Sequence, residues 1–390
     1  MKLIIPLKGL VKNDLKVPLI DWLDAPPDYE EFANPLLATN TMKPSFSSID
    51  CLSDLTRLAS LRNCLADAIP KASAHRHALD NQALSDSHEY YAALLACQSQ
   101  GFPLLDEGSP LTLTWKAAVG PQQETHGSLL WDQVGTLWNI AALESFMGAT
   151  HSSNTTTDRK QIVKHYQSAA STICYLRETV LPGPIALETV DMSDALLHFW
   201  ERAMLACAQI ATYDMLLHPT DEPPKQALLS YIAMGAVPVL NEALVASQNP
   251  LLVSHLPTPI LEWGTTCKYW SMLLTAKAEY HQAVLARQTK DWGMELGRLQ
   301  QSMQLFQSCQ VFCDLSNMDN PKTEVERWLA LVKDQKEQAN KDHHEYMYGD
   351  ANVMSPDTLP PIRPQLVVKS TIPMPESMMI PKVQLFAFIR

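Results

Sequence analysis

By residue type, the groups that could do chemistry in this chain are its histidines and cysteines, and their spacing restricts what they can do. Cys309 and Cys313 stand at the helical i,i+4 spacing that would turn two thiolates toward one ion. No second cysteine pair or histidine pair accompanies them to complete a zinc quartet. His88-Glu89 lacks the second histidine of a zinc-protease helix, and His75 and His77 fall in a polar linker. In His343-His344-Glu345 the two imidazoles point about 100° apart around a helix, so they do not chelate one ion easily. There is no Gly-rich phosphate loop, nucleophile elbow or kinase signature. These residues predict no metal, no cofactor and no enzymatic activity.

Composition describes what must hold such residues in place. The chain has 390 residues, 46% apolar and 18% charged, which supplies ample material for a core. A net charge of -12 disfavours nucleic acid as a partner and allows only peripheral membrane contact. Thirteen glycines argue against a doubly wound nucleotide fold, and 27 prolines suit helices joined by stiff connections. The eight cysteines are widely spaced, mostly within apolar runs, and read as reduced core residues. With no signal-peptide pattern at the N-terminus, the expected location is the cytoplasm. The apolar run from Leu228 to Ala246 is interrupted by Ser230, Pro238, Asn241 and Glu242, and reads as a kinked buried helix and not a membrane span.

The periodicity is overwhelmingly helical. Residues 3–7 suggest an extended entry, and Leu15, Leu19, Ile20, Trp22 and Leu23 a short helix. Leu52, Leu55, Leu58, Leu61, Leu65 and Ile69 form one apolar stripe on a helix that Pro70 should end. A second helix is expected over 83–98. The alternation at 111–115 fits a strand-like turn or an extended link. Long helices follow over 127–149, 159–180, 192–217, 224–247, 257–287, 291–315 and 322–341. Trp292, Leu296, Leu299, Met303 and Phe306 step by four, three, four and three, one amphipathic stripe. The eight tryptophans from Trp115 onward fall in such patterns and read as core. Alanines such as Ala276 and Ala278 would let neighbouring helices approach closely, as in tetratricopeptide-like arrays, although no strict 34-residue repeat occurs. The seven prolines from Pro356 to Pro381 rule out a continuous helix after about Ala351. The fold class expected is therefore all-α, with minor β structure near the N-terminus.

Several segments, taken in order, resemble the BRO-one domain family, which takes in ALIX, PalA, the rhophilins and a His-domain tyrosine phosphatase. They are Leu111 to Lys116 (LTLTWK), Trp131 to Leu143 (WDQVGTLWNIAAL), Lys164 to Ala170 with Leu176-Arg177-Glu178, and Val190 to Ser193. Met204 to Gln209 (MLACAQ), Ala278 to Ala283 (AEYHQA), Trp292 to Leu299, Lys341-Asp342, Tyr348 and Leu366 to Ser370 complete the series. The family's usual Glu-Lys is replaced by Asp132-Gln133, read as the repacking of a helix end.

The resemblance implies a boomerang-shaped domain with a tetratricopeptide-like helical core over residues 1–350. Residues 351–390 are then an extended Pro-rich C-terminal segment running back along it. It also implies a scaffold in endosomal, multivesicular-body sorting, cytoplasmic and recruited to endosomes. Its partner would be the C-terminal amphipathic helix of an ESCRT-III subunit of Snf-seven/CHMP type, with other endosomal or signalling proteins as further partners. Matched by position, Leu228 and Ile232 are the apolar anchors of that groove, and their i,i+4 spacing puts both on one helical face. A family aromatic falls on Thr212 and a basic position on Met215, while Lys160 and Lys164 keep flanking basic positions. Tyr348 matches a tyrosine that serves in partner binding and phosphorylation, or anchors the tail. The alternative is a signalling adaptor of the rhophilin or PalA kind, with a small GTPase or a pH-response protein as partner.

Overall fold

The computed structural model describes residues 1–12, 15, 18–20, 48–74, 81–99, 102, 111–181, 189–218, 224–345 and 353–371. His75, His77, Trp22, Leu23, Tyr348 and the three prolines after Thr371 lie outside them. The elements are β1 (Gly9–Leu10), α1 (Ser48–Ala74), α2 (Asn81–Ser99), β2 (Leu113–Lys116), β3 (Gln123–His126), α3 (Leu129–Thr150) and α4 (Thr156–Tyr175). They continue with α5 (Asp194–Leu217), α6 (Gln226–Ser247), α7 (Pro250–His255), α8 (Pro257–Gln288), α9 (Trp292–Leu315) and α10 (Asp319–Glu345). Helix dominates, with a small sheet whose first strand is near the N-terminus and whose other two lie at 113–126, where the sequence had offered a strand-like turn or an extended link. Most helix limits fall within a few residues of those read from periodicity. One differs in kind: α1 continues through Pro70 to Ala74. A proline removes one N–H donor without forbidding the backbone angles of a helix. The buried stripe Leu55, Leu58, Leu65 and Ile69 ties down the turns before it.

The chain divides into two compact units. One comprises residues 4–150, 168–197 and 370–390. Its antiparallel sheet runs in the order β1-β2-β3, with Leu10 opposite Trp115 and Trp115 opposite Glu124. The alternation of β2 points Leu113 and Trp115 inward. The Trp115 ring lies against α3 at Gly135, where an added Cβ would come within 2.5 Å of it. Helix α3 is buried on nearly every side, so it carries Asp132 and Asn139 into the interior with the apolar residues. Each has partners. The Asp132 carboxylate accepts from Arg62 Nε at 2.7 Å, Arg62 Nη2 at 3.2 Å, Trp115 Nε1 at 2.7 Å and the Tyr90 hydroxyl. Lys8 Nζ meets Asp191 Oδ2 at 2.5 Å, while Asn139 exchanges two hydrogen bonds with the Lys8 backbone. Asp132 is thus the centre of a buried network, and the expectation that it merely repacks a helix end is corrected.

The other unit comprises residues 1–3, 151–167 and 198–369. Helices α6, α8, α9 and α10 pack in succession, the last three around Tyr269, Leu273, Leu299, Phe306, Leu329 and Val332. The stripe predicted on α9 faces this core at Leu296, Leu299 and Phe306. Close approach is visible where Ser302 Oγ donates to the Ala276 carbonyl at 2.9 Å and Ser230 Oγ to that of Ala278 at 3.0 Å. Lys277 is buried with its ammonium 2.7 Å from Glu324 and 5.0 Å from the Trp328 ring centre. Beside it His281 bonds the Tyr213 hydroxyl and Gln226 Oε1, both at 2.8 Å. Burial, and secondarily Lys277, push its pKa down to about 3.

Candidate partner-binding site

Helix α6 is, among the described residues, the one helix long and apolar enough to cross a membrane, and half of that stretch is buried against protein. Its inward face carries Leu229, Ile232, Ala236, Val239 and Leu240. Flanking them, Leu228, Tyr231 and Met234 recur at a spacing of three and are half-buried. The two anchors singled out in the sequence are therefore not equivalent: Leu228 reaches the surface, while Ile232 is 1% exposed and belongs to the core. The physical reason is the neighbourhood of Ile232, whose carbonyl accepts Gln209 Nε2 at 3.0 Å across from α5.

The other candidates lie on the adjoining helices. Thr212, near the end of α5, is buried and its hydroxyl donates to the Ala208 carbonyl at 2.9 Å, so a short side chain folds back onto its own helix. Met215 is half-buried one turn further on. Lys160 and Lys164 are both exposed, on one face of α4 at i,i+4. The preceding Arg159 fixes this helix to the end of α5, with Nη1 donating to the His218 carbonyl at 2.7 Å. Leu228, Met215, Lys160 and Lys164 are accessible in whole or part; Ile232 and Thr212 are buried. Tyr348 lies outside the described residues.

The Pro-rich segment that the resemblance ran back along the helices, the C-terminal strap, is described over residues 353–371. Residues 353–369 cross this unit, with a 3-10 turn at Pro356–Thr358 and an irregular run after it: Gln365 N–H donates to the Tyr231 carbonyl at 2.9 Å and Met354 N–H to that of Gly293 at 3.2 Å. Two glycines make room for it. A Cβ at Gly235 would lie 2.1 Å from the Gln365 carbonyl oxygen, and one at Gly297 2.5 Å from that of Met354. The pairing of isolated helix glycines with a downstream Pro-rich segment was the available signal.

Among the described residues, the titratable groups near this site form no reactive constellation. The thiols of Cys207 and Cys309 are pushed up by burial, to about 11 and about 12. Such thiols behave as inert core residues. Cys64, by contrast, is exposed. Among the described residues, no group of three or more His, Cys, Asp and Glu side chains is placed to hold a metal.

A stack of antiparallel helices with a partly apolar, half-buried row on α6 defines the class of α-helical array folds. Comparison with known proteins gives the family. The BRO1-like domain model matches residues 39–389, and the chain belongs to that family. Programmed cell death 6-interacting protein of Homo sapiens is 29% identical over 297 residues, covering 74% of this chain and 32% of that protein. Vacuolar protein-sorting protein BRO1 of Gibberella zeae is 26% identical over 215 residues, 55% of this chain and 20% of that protein. The chain thus spans about a third or less of the length of these relatives. The solved ALIX BRO1 CHMP4C complex superposes with a TM-score of 0.78 at 24% identity over 98% of both chains, which fixes the fold.

Proposed function

We propose that this chain is a non-enzymatic scaffold of endosomal, multivesicular-body sorting, cytoplasmic and recruited to endosomes. It binds the C-terminal amphipathic helix of a CHMP-type ESCRT-III subunit at the half-buried row of α6 that starts at Leu228. The observation that carries the reading is the half-exposed row Leu228, Tyr231 and Met234 on a helix whose other apolar face is committed to the core. Membership of the BRO1-like family supports it, as does the solved relative whose BRO1 domain is in complex with CHMP4C. An apolar anchor buried by the partner contributes about 1.5–3 kcal/mol before ordering costs. Lys160 and Lys164 meet acidic residues of the partner helix and add salt-dependent attraction. Thr212 and Met215, where the family pattern has an aromatic and a base, leave a shallower and less positive groove and retune affinity. Titration of the whole chain with an ESCRT-III C-terminal helix peptide tests the reading; no binding would reject it.

A further inference from the structure

The strap has a property that its role as packing does not explain. Leu359 has φ -65° and ψ 135°, the values of a polyproline II helix. Pro360, Pro361 and Pro364 fix their own φ near the same value and bias the residues before them to extended angles. A polyproline II helix has three residues per turn and hence three ridges. One ridge faces the protein: Leu359 and Ile362 are half-buried, Gln365 is bonded inward through both backbone groups although its side chain is exposed, and Val368 is 2% exposed. The other two ridges, Pro360-Arg363-Leu366 and Pro361-Pro364-Val367, are exposed throughout. Arg363 forms no hydrogen bond or ion pair among the described residues.

We propose that residues 360–367 are a preformed docking surface for a domain that reads polyproline II helices in an aromatic-lined groove flanked by carboxylates, the SH3 type. Such a groove recognises a Pro-x-x-Pro ridge, here Pro361 and Pro364. The unpaired guanidinium of Arg363 is the charge complement of a carboxylate beside it. The third ridge, which a groove of this kind leaves free, is the one seated on the helices. Arg298 donates to the Pro360 carbonyl, Gln209 Nε2 to the Gln365 carbonyl at 2.7 Å, and Val367 N–H to Gln209 Oε1 at 3.1 Å. The segment is therefore ordered before it binds, which removes much of the entropy cost a free Pro-rich peptide carries.

The test probes an array of purified SH3 domains, and a parallel array of WW domains, with the whole chain. Three proteins are compared: the wild type, the double variant Pro361→Ala/Pro364→Ala, and Arg363→Glu. At least one SH3 domain is expected to bind the wild type with micromolar affinity, and each variant to weaken it by about tenfold or more. The substituted side chains are exposed, so all three proteins stay folded, the double variant losing only the backbone restriction of two prolines; Arg363→Glu leaves the backbone of the strap untouched and keeps the wild-type melting temperature. Absence of binding to every SH3 domain, binding confined to WW domains, or binding indifferent to Arg363→Glu would overturn the proposal.

Discussion

Gln209 and Gln365 are joined through the side-chain amide of the first and the backbone carbonyl of the second, 2.7 Å apart. The same amide reaches the Ile232 carbonyl at 3.0 Å, and its oxygen accepts Val367 N–H at 3.1 Å. One buried side chain on α5 thus ties α6 to the strap. The Gln209 position, within a family-like run, was visible in the sequence; its partners were not, because they are backbone groups far along the chain.

Gln209→Ala should release the strap while the helices stay folded. Three hydrogen bonds are lost, at a net cost of about 0.5–1.5 kcal/mol each at most. Limited proteolysis should then cut within residues 353–371 several times faster than in the wild type. Gly235→Ala should act the same way, since its methyl would displace the Gln365 carbonyl. Unchanged cleavage in both variants would show that neither residue holds the strap.

The Asp132 network predicts an asymmetric response to substitution. Asp132→Ala leaves the fully buried Arg62 guanidinium without its counter-charge, and should cost about 3–5 kcal/mol in chemical denaturation. Replacing both with apolar residues, Arg62→Met with Asp132→Leu, should cost less than the single change. If the single change costs no more than a surface substitution, the network contributes no stability.

How far the sequence went depends on the kind of interaction. Amphipathic stripes such as Leu296, Leu299 and Phe306 are local and were legible, as was the strand-like alternation around Trp115. The Pro70 boundary was misjudged because tertiary burial on the preceding turns overrides a local breaker. At the candidate site, spacing placed Leu228 and Ile232 on one face but could not tell which side of α6 the neighbouring helices cover. Asp132, Lys277 and Gln209 depend on partners 17 to 158 residues away in sequence, which no local pattern encodes.

His281 gives a pH signature. Its folded pKa of about 3 lies below the roughly 6.5 of an unfolded histidine, so the unfolded chain binds a proton that the folded chain refuses. This group's contribution is therefore complete above pH of about 6.5 and is lost as pH falls toward 3, at up to about 1.4 kcal/mol per pH unit. His281→Gln should make stability less steep between about pH 4.5 and 6 by the equivalent of one proton. An unaltered slope would mean that His281 is protonated in the folded protein.

The most direct measurement is calorimetric titration of the whole chain with an ESCRT-III C-terminal helix peptide, for the wild type and for Leu228→Asp. Leu228 is half-exposed, so the variant should keep the wild-type melting temperature; Ile232→Asp, which buries a carboxylate in the core, would confound binding with unfolding. The wild type should bind, and Leu228→Asp should weaken binding by about tenfold or more, the loss of one apolar anchor. No binding by the wild type, or equal binding by both folded proteins, would contradict the account.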